Sequence, residues 1–298
     1  FVSTANAFVL RGAIPVFADI RPDTLNMDET KLEPLITRRT RAIVPVHYAG
    51  VGCEMDAILA IAEHHKIAVV EDNAHGFGAK YKDRTLGTLG SIGAQSFHET
   101  KNLSCGEGGA LILNHPELSE EAQIIRDKGT NRALFLRGEI DKYTWVSKGS
   151  SYAPADILAA FLLAQLEEFQ SIQARRKQIW DYYQVNLSPL QKGGFLELPT
   201  VPVHCVQSFH MFYIVARTQR EQNQLLNFLN QNGVNAVFHY VPLHSSNMGL
   251  RLGGEPDACP VTEDMSKRLV RLPFFNRLER SDQDHVISNV HAFFEKRT

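Results

Sequence analysis

The sequence predicts an α/β fold: a mainly parallel sheet with flanking helices, followed by a smaller C-terminal α+β domain. Three observations predict it. Short apolar runs, Ala42 to Val46 and Ile67 to Val70, alternate with a segment of helical spacing, Met55 to His64. Neither run alternates polar with apolar residues, as a strand with one wet face would. From about Phe195 the rhythm changes to short strands around one helix.

The elements follow in order. Residues 3–11 (STANAFVLR) read as a helix that Ser3 or Thr4 can cap. Ile14 to Ile20 reads as a strand ending at the turn Arg21-Pro22-Asp23, and Asp28 to Ile36 as a helix capped by Asp28. The second buried run ends at Glu71-Asp72. Ala110 to Leu113 is a strand and Glu117 to Lys128 a helix. Pro154 suits the first turn of a long helix that continues past Trp180 and breaks at Gln191 to Gly194. Strands at Met211 to Val215 and Val234 to His239 flank a helix from Arg220 to Asn232. This pattern divides the 298 residues into a large domain, 1–165, and a linking helix with a small domain, 166–298.

Composition narrows the function. The formal net charge is −2 and no Lys/Arg stripe stands out, which argues against nucleic-acid binding. No apolar run approaches the length of a membrane span. Cys53, Cys105, Cys205 and Cys259 are scattered, without metal-ligand spacing, and read as reduced thiols of a cytoplasmic protein. The histidines form no zinc pattern, so no metal is expected.

The chemistry concentrates in Ser96-Phe97-His98-Glu99-Thr100-Lys101-Asn102, ahead of Gly106-Glu107-Gly108-Gly109. Taken alone, Lys101 reads as a surface lysine before a tight turn. Asp72 shifts the balance, because it places a carboxylate at the carboxyl end of a buried strand, where ligands of such sheets collect. A helix cap is its simpler reading. Pyridoxal 5'-phosphate (PLP) needs both groups: a carboxylate to keep its ring nitrogen protonated and a lysine to bond its aldehyde. Many α/β proteins meet that requirement by chance, so the residue types leave PLP as one candidate.

The strings VVEDNAHGFGA and GTLGSIGAQSFHETKNLSCGEGGALI resemble the signature of the DegT/DnrJ/EryC1/StrS sugar aminotransferases, a family of PLP fold type I architecture. The resemblance runs from FVSTANAFVLRGAIPVFADI to the end of the chain. It implies that Lys101 bonds the cofactor, Asp72 pairs with its ring nitrogen, His75 lies beside its phenolic oxygen and Ser96 bonds its phosphate. Phe1 falls where the family stacks an aromatic ring on PLP. Ser151 falls where many members use Asn to reach the partner subunit's phosphate, and Asn73 where alanine is common. PVHYAGVGCEMD, KGTNR, DKYTW, GSSY and VFHYVPLH are similar to members that aminate dTDP-4-dehydro-6-deoxy-D-glucose with glutamate for bacterial surface glycans.

The resemblance places His239, Tyr240 and His244 at the border of a nucleotide-sugar pocket, while His47, Tyr48 and His98 either line the site or merely pack. A homodimer is the expected assembly. Two alternatives stand beside amine transfer: dehydration of a keto-sugar, which retention of Lys101 disfavours, and a non-catalytic remnant. The latter arises because the family carries a segment before the position of Phe1 that helps to bind the phosphate.

Overall fold

The computed structural model describes residues 1–295. In chain order its elements are α1 (Val2–Val9), β1 (Ala42–Ile43), α2 (Met55–His65), β2 (Ala68–Asp72), β3 (Lys80–Tyr81), β4 (Arg84–Thr85), β5 (Ile92–Ser96) and β6 (Gly109–Leu113). There follow α3 (Ser119–Arg126), α4 (Arg132–Leu136), α5 (Asp156–Glu167), α6 (Phe169–Lys192), β7 (Leu196–Glu197), β8 (Cys205–Val206) and β9 (Tyr213–Ala216). The chain closes with α7 (Gln219–Gln231), α8 (Asn247–Arg251), α9 (Pro260–Arg268), β10 (Leu269–Arg271) and α10 (Arg280–Glu295).

The main sheet has the order β1-β2-β5-β6. The β1–β2 and β2–β5 pairs are parallel, and β6 returns antiparallel. Asp72 lies opposite Ala94, so the ends of β2 and β5 emerge side by side. That placement puts Asp72 and Ser96 at one edge of the sheet. Beneath them Ile43, Ile58, Ala62, Val69 and Leu86 form one buried core. A second core packs α6, α7 and α10 onto the antiparallel sheet β10-β9-β7, through Ile179, Tyr183, Leu225, Phe212, Ile214, Val290 and Phe294. Leu25 and Ala49 pack with Met211, Tyr213 and Met265, which joins the two parts of the chain.

Several expectations are corrected. Phe1, not Ser3 or Thr4, occupies the cap of α1, without a side-chain bond. Ile14 to Ile20 forms no strand; Ile20 makes one bridge to Met27, and Ile14 and Val16 stay exposed because no neighbouring described strand accepts their backbone. Asp28 does cap a helix, accepting from Thr30 N, but only a 3-10 turn, Glu29–Lys31. A second such turn, Glu33–Leu35, carries Pro34, which has no N–H to continue an α-helix. The strand at Ala42 stops after Ile43, and beyond Pro45 pairing persists only as a bridge from Val46 to Asp72.

Pro154 precedes the capping residue Ala155, and the long helix is two helices broken at Glu168. Val234 to His239 pairs only at Val237, opposite Arg271. The structure adds β5, β10 and α8 to α10, none of which stood out in the residue pattern.

Candidate active site

Glu71 and Asp72 end β2 with opposite fates, because successive strand residues face opposite sides. Glu71 is fully buried. Its Oε1 accepts from Leu89 N and Gly90 N, both at 2.7 Å, and its Oε2 from Gly87 N (2.8 Å) and His47 Nε2 (2.9 Å). Burial pushes its pKa up, but the bond to His47 and the amide donors outweigh this and hold it below the usual glutamate value. The turn it grips needs glycine at Gly87, where φ is +87° and an added Cβ would lie 2.9 Å from Ile112. This carboxylate therefore sets the path of the chain into β5.

Asp72 turns to the opposite side of the strand. Thr4 Oγ1 donates to its Oδ2 at 2.6 Å and Ala74 N to its Oδ1 at 3.0 Å. Lys101 follows β5 in a tightly bonded turn, with Lys101 N on His98 O (2.9 Å), Glu99 N on Gly106 O (2.8 Å) and Cys105 N on Phe97 O (2.9 Å). Burial lowers the pKa of the half-buried Lys101; Asp72 opposes that shift and Arg271 adds to it. Both effects of Asp72 and Arg271 bring Lys101 into one electrostatic environment with the end of β2. Ser96 lies at the end of β5 with its Oγ accepting from His98 N at 3.3 Å.

His75 is half-buried, but its Nδ1 is sealed from solvent and has no partner. Its ring stacks on His210 at 4.0 Å between centroids, 19° between planes. Burial, then the charge of Lys101, drives its pKa well below the ordinary imidazole value, so it is neutral at pH 7. His210 is lowered likewise by burial. Asn102 Nδ2 donates to Ser208 O (2.7 Å), which turns its Oδ1 toward His210 Nδ1 (2.8 Å) and makes that nitrogen the donor. Ser208 Oγ donates to His75 O. Arg176 Nη2 and Nε hold His210 O and Phe209 O at 2.6 and 2.9 Å.

His239 is buried and pushed down to about 3, chiefly by burial and then by Arg271. Its Nδ1 is hydrogen-bonded to Tyr48 Oη at 2.6 Å, and the Tyr48 ring lies 6.2 Å from the His75 ring. Tyr240 stacks beside His239 at 4.0 Å, and the exposed Phe1 lies 5.3 Å from Tyr240. The structure therefore links His75, Tyr48, His239, Tyr240 and Phe1 in one chain of contacts, which Thr4 extends to Asp72 by donating N–H to Phe1 O and Oγ1 to the carboxylate.

Other expected residues lie elsewhere. His47 is fully buried with Nε2 on Glu71 and Nδ1 accepting from Cys53 N (3.2 Å), so the substrate contact expected of it is corrected to a structural tie: no ring nitrogen is left for a ligand. His244 is buried with Nε2 3.1 Å from Glu263 Oε1 of α9, and no hydrogen bond engages its Nδ1 among the described residues. His98 is bound to Thr100 through Nδ1 on the turn before Lys101. Ser151 is exposed and bridges Asp127. Glu33, His64 and His65 bring potential metal-ligand atoms within 4.8 Å of one another on the surface at the end of α2. The residue pattern gave no warning of Thr4, His210 or Arg271 in the site; Asn102 had one cue, its adjacency to Lys101.

These residues fit PLP: a carboxylate held by a single side-chain donor, a lysine of lowered basicity, and a buried imidazole nitrogen lacking a partner. The model of the DegT/DnrJ/EryC1/StrS aminotransferase family matches residues 1–291. The spore coat polysaccharide biosynthesis protein SpsC of Bacillus subtilis is 34% identical, over 97% of this chain and 76% of SpsC. Among solved structures, S. venezuelae DesV in complex with a ketimine intermediate is 30% identical, with a TM-score of 0.88, over 99% of this chain and 76% of that one. The sugar aminotransferase Spr1654 of Streptococcus pneumoniae in its PMP form is 25% identical, with a TM-score of 0.91, over 99% and 80% of the two chains.

Proposed function

The chain belongs to the DegT/DnrJ/EryC1/StrS aminotransferase family, and from that premise we propose that it converts dTDP-4-dehydro-6-deoxy-D-glucose to dTDP-4-amino-4,6-dideoxy-D-galactose, with glutamate as amino donor. The observation that carries the amine-transfer reading is the pairing of an anchored Asp72 with a Lys101 of lowered basicity beside the orphaned Nδ1 of His75. The choice of sugar rests on the strings PVHYAGVGCEMD, SFHETKN and VFHYVPLH.

PLP, when bound, supplies an aldehyde on which amines exchange and a ring that withdraws electrons from the reacting carbon. Asp72 would hold the ring nitrogen protonated, and Thr4 keeps that carboxylate oriented. His75 Nδ1 would offer its unused bond to the ring oxygen, and Ser96 its hydroxyl to the phosphate. Lys101 Nζ takes the proton from the α-carbon of glutamate and would pass it to the cofactor carbon that bears the exchanged amine, a role that needs the neutral amine its burial favours. In net terms, with glutamate reacting first, its amino group and the C4 oxygen of the keto-sugar change places, giving 2-oxoglutarate and the 4-amino sugar. Tyr240, His239 and the surrounding loop border the sugar nucleotide.

We assign residues 1–165 to the cofactor-binding domain and residues 166–298 to the linking helix and small domain. We assign the enzyme to the cytoplasm, where nucleotide sugars and glutamate are available; no described helix is long and apolar enough to cross a membrane. A homodimer is supported by α5, whose Leu158 and Leu162 pack inward while Ile157 (78% exposed) and Phe161 (57% exposed) face outward. Ser151, which is also exposed, is the residue we assign to a partner's phosphate.

Incubation with PLP followed by borohydride should leave the cofactor mass on the Lys101 peptide, and glutamate with the keto-sugar should yield the 4-amino sugar. An unmodified Lys101 peptide refutes the cofactor assignment. Loss of water from the sugar without amine transfer would refute the reaction.

A further inference from the structure

We propose that Arg271 receives a carboxylate of the amino donor, an inference that rests on the aminotransferase reading above. Arg271 ends β10 in direct register with Tyr213 of β9. Paired residues on adjacent antiparallel strands project to the same face. Tyr213 packs against Tyr48 at 6.0 Å between ring centroids, and Tyr48 contacts both His75 and His239. The Arg271 backbone is clamped from the other side as well: its N–H donates to Val237 O at 2.8 Å, and Val237 N–H donates to Arg271 O at 3.2 Å.

The side chain thus starts from a rigid strand on the face that looks into the site, yet its charge is unanswered. Nε is sealed from solvent and meets no acceptor. Among the described residues Arg271 forms no ion pair, whereas Arg176, another cation near His210, is satisfied by three oxygen contacts. A guanidinium donor removed from water without an acceptor is unfavourable unless a ligand completes it. The charge also reaches the reacting group, since it lowers the basicity of Lys101, His75 and His239.

The geometry of the substrates selects the anion. The α-carboxylate of an amino acid is one bond from the carbon whose amine is exchanged at Lys101. The diphosphate of a nucleotide sugar is separated from C4 by the width of the sugar ring, which places it farther from Lys101. A planar guanidinium fork also matches a carboxylate in a bidentate manner. Arg271 therefore recognises the donor and leaves the nucleotide to other residues.

The full chain loaded with PLP is titrated by calorimetry with maleate, an unreactive dicarboxylate, and separately with dTDP. Arg271→Gln should weaken maleate at least about tenfold and leave dTDP within about twofold, the pattern for loss of a charged ligand contact confined to one subsite. Arg271→Lys, which keeps the charge without the fork, should fall between, and in turnover the Gln variant should raise the KM for glutamate more than it lowers kcat. Maleate binding equal to wild type in Arg271→Gln, or in Arg271→Lys if the former does not fold, overturns the proposal, as does loss of dTDP binding in place of maleate. A wild-type chain that takes up no cofactor overturns the aminotransferase reading and this inference with it. A loaded wild type with unchanged variants overturns this inference alone.

Discussion

Replacing Glu71 by Gln tests how the end of β2 is held. The native carboxylate has four acceptor bonds and every partner is a donor: Leu89 N, Gly90 N, Gly87 N and His47 Nε2. Glutamine keeps the shape but offers one carbonyl oxygen. Its NH2 group then faces two of these donors, which lose their acceptor inside the protein. At about 1–3 kcal/mol for each buried donor left unsatisfied, the cost is about 2–6 kcal/mol. That is a large part of a typical stability of about 5–15 kcal/mol. Unfolding in urea, with matched thermal melts, measures it, and the melting temperature should fall by on the order of 10 °C.

The pH dependence carries the sign. Glu71 has a folded pKa below its ordinary value, so its contribution is present above the ordinary glutamate range and disappears as pH falls through the lower, folded value. The gap between wild type and Glu71→Gln should therefore narrow in acid. A Glu71→Gln protein that unfolds at the wild-type urea concentration at pH 7 refutes this account, because the four bonds would then contribute nothing net.

Three further outcomes follow from the same geometry. Thr4→Val removes the only side-chain donor to Asp72 among the described residues and should weaken PLP retention several-fold, in line with about 1 kcal/mol for one hydrogen bond, measured by dialysis and absorbance; unchanged retention refutes the anchoring role of Thr4. Three imidazoles, His75, His210 and His239, stay neutral when folded, so the unfolded chain takes up protons the native state refuses below the ordinary histidine range. Stability should thus fall from pH 7 to pH 5, by up to about 1.4 kcal/mol per pH unit for each such group, and a flat urea midpoint across that range contradicts it. Finally, Phe161→Glu on the outer side of α5 should shift sedimentation toward a smaller species if two copies meet there, whereas an unchanged sedimentation coefficient removes that face from the assembly.

What the residue order determined by itself was local. Ile67 to Val70 is apolar enough to be a buried strand, so the next carboxylates had to emerge at its end; Lys101 sits within a few residues of a glycine-rich turn. Such features depend on neighbours close in sequence, and the family signature spans the same stretches. Marginal elements were misjudged where pairing or a proline decides: Ile14 to Ile20 has the composition of a strand but pairs only through the single bridge from Ile20 to Met27, and Pro34 reduces an expected helix to a 3-10 turn.

Only the tertiary structure decided which polar groups meet. Thr4 reaches Asp72 across 68 positions, Asn102 meets His210 across 108, and Tyr48 meets His239 across 191. No periodicity encodes such pairings, because each arises from two packed layers meeting at one edge. The same packing separated His47 from the cavity by giving its nitrogens to Glu71 and Cys53. It also left the Arg271 Nε without an acceptor, since burial and pairing depend on the surrounding atoms rather than on residue type.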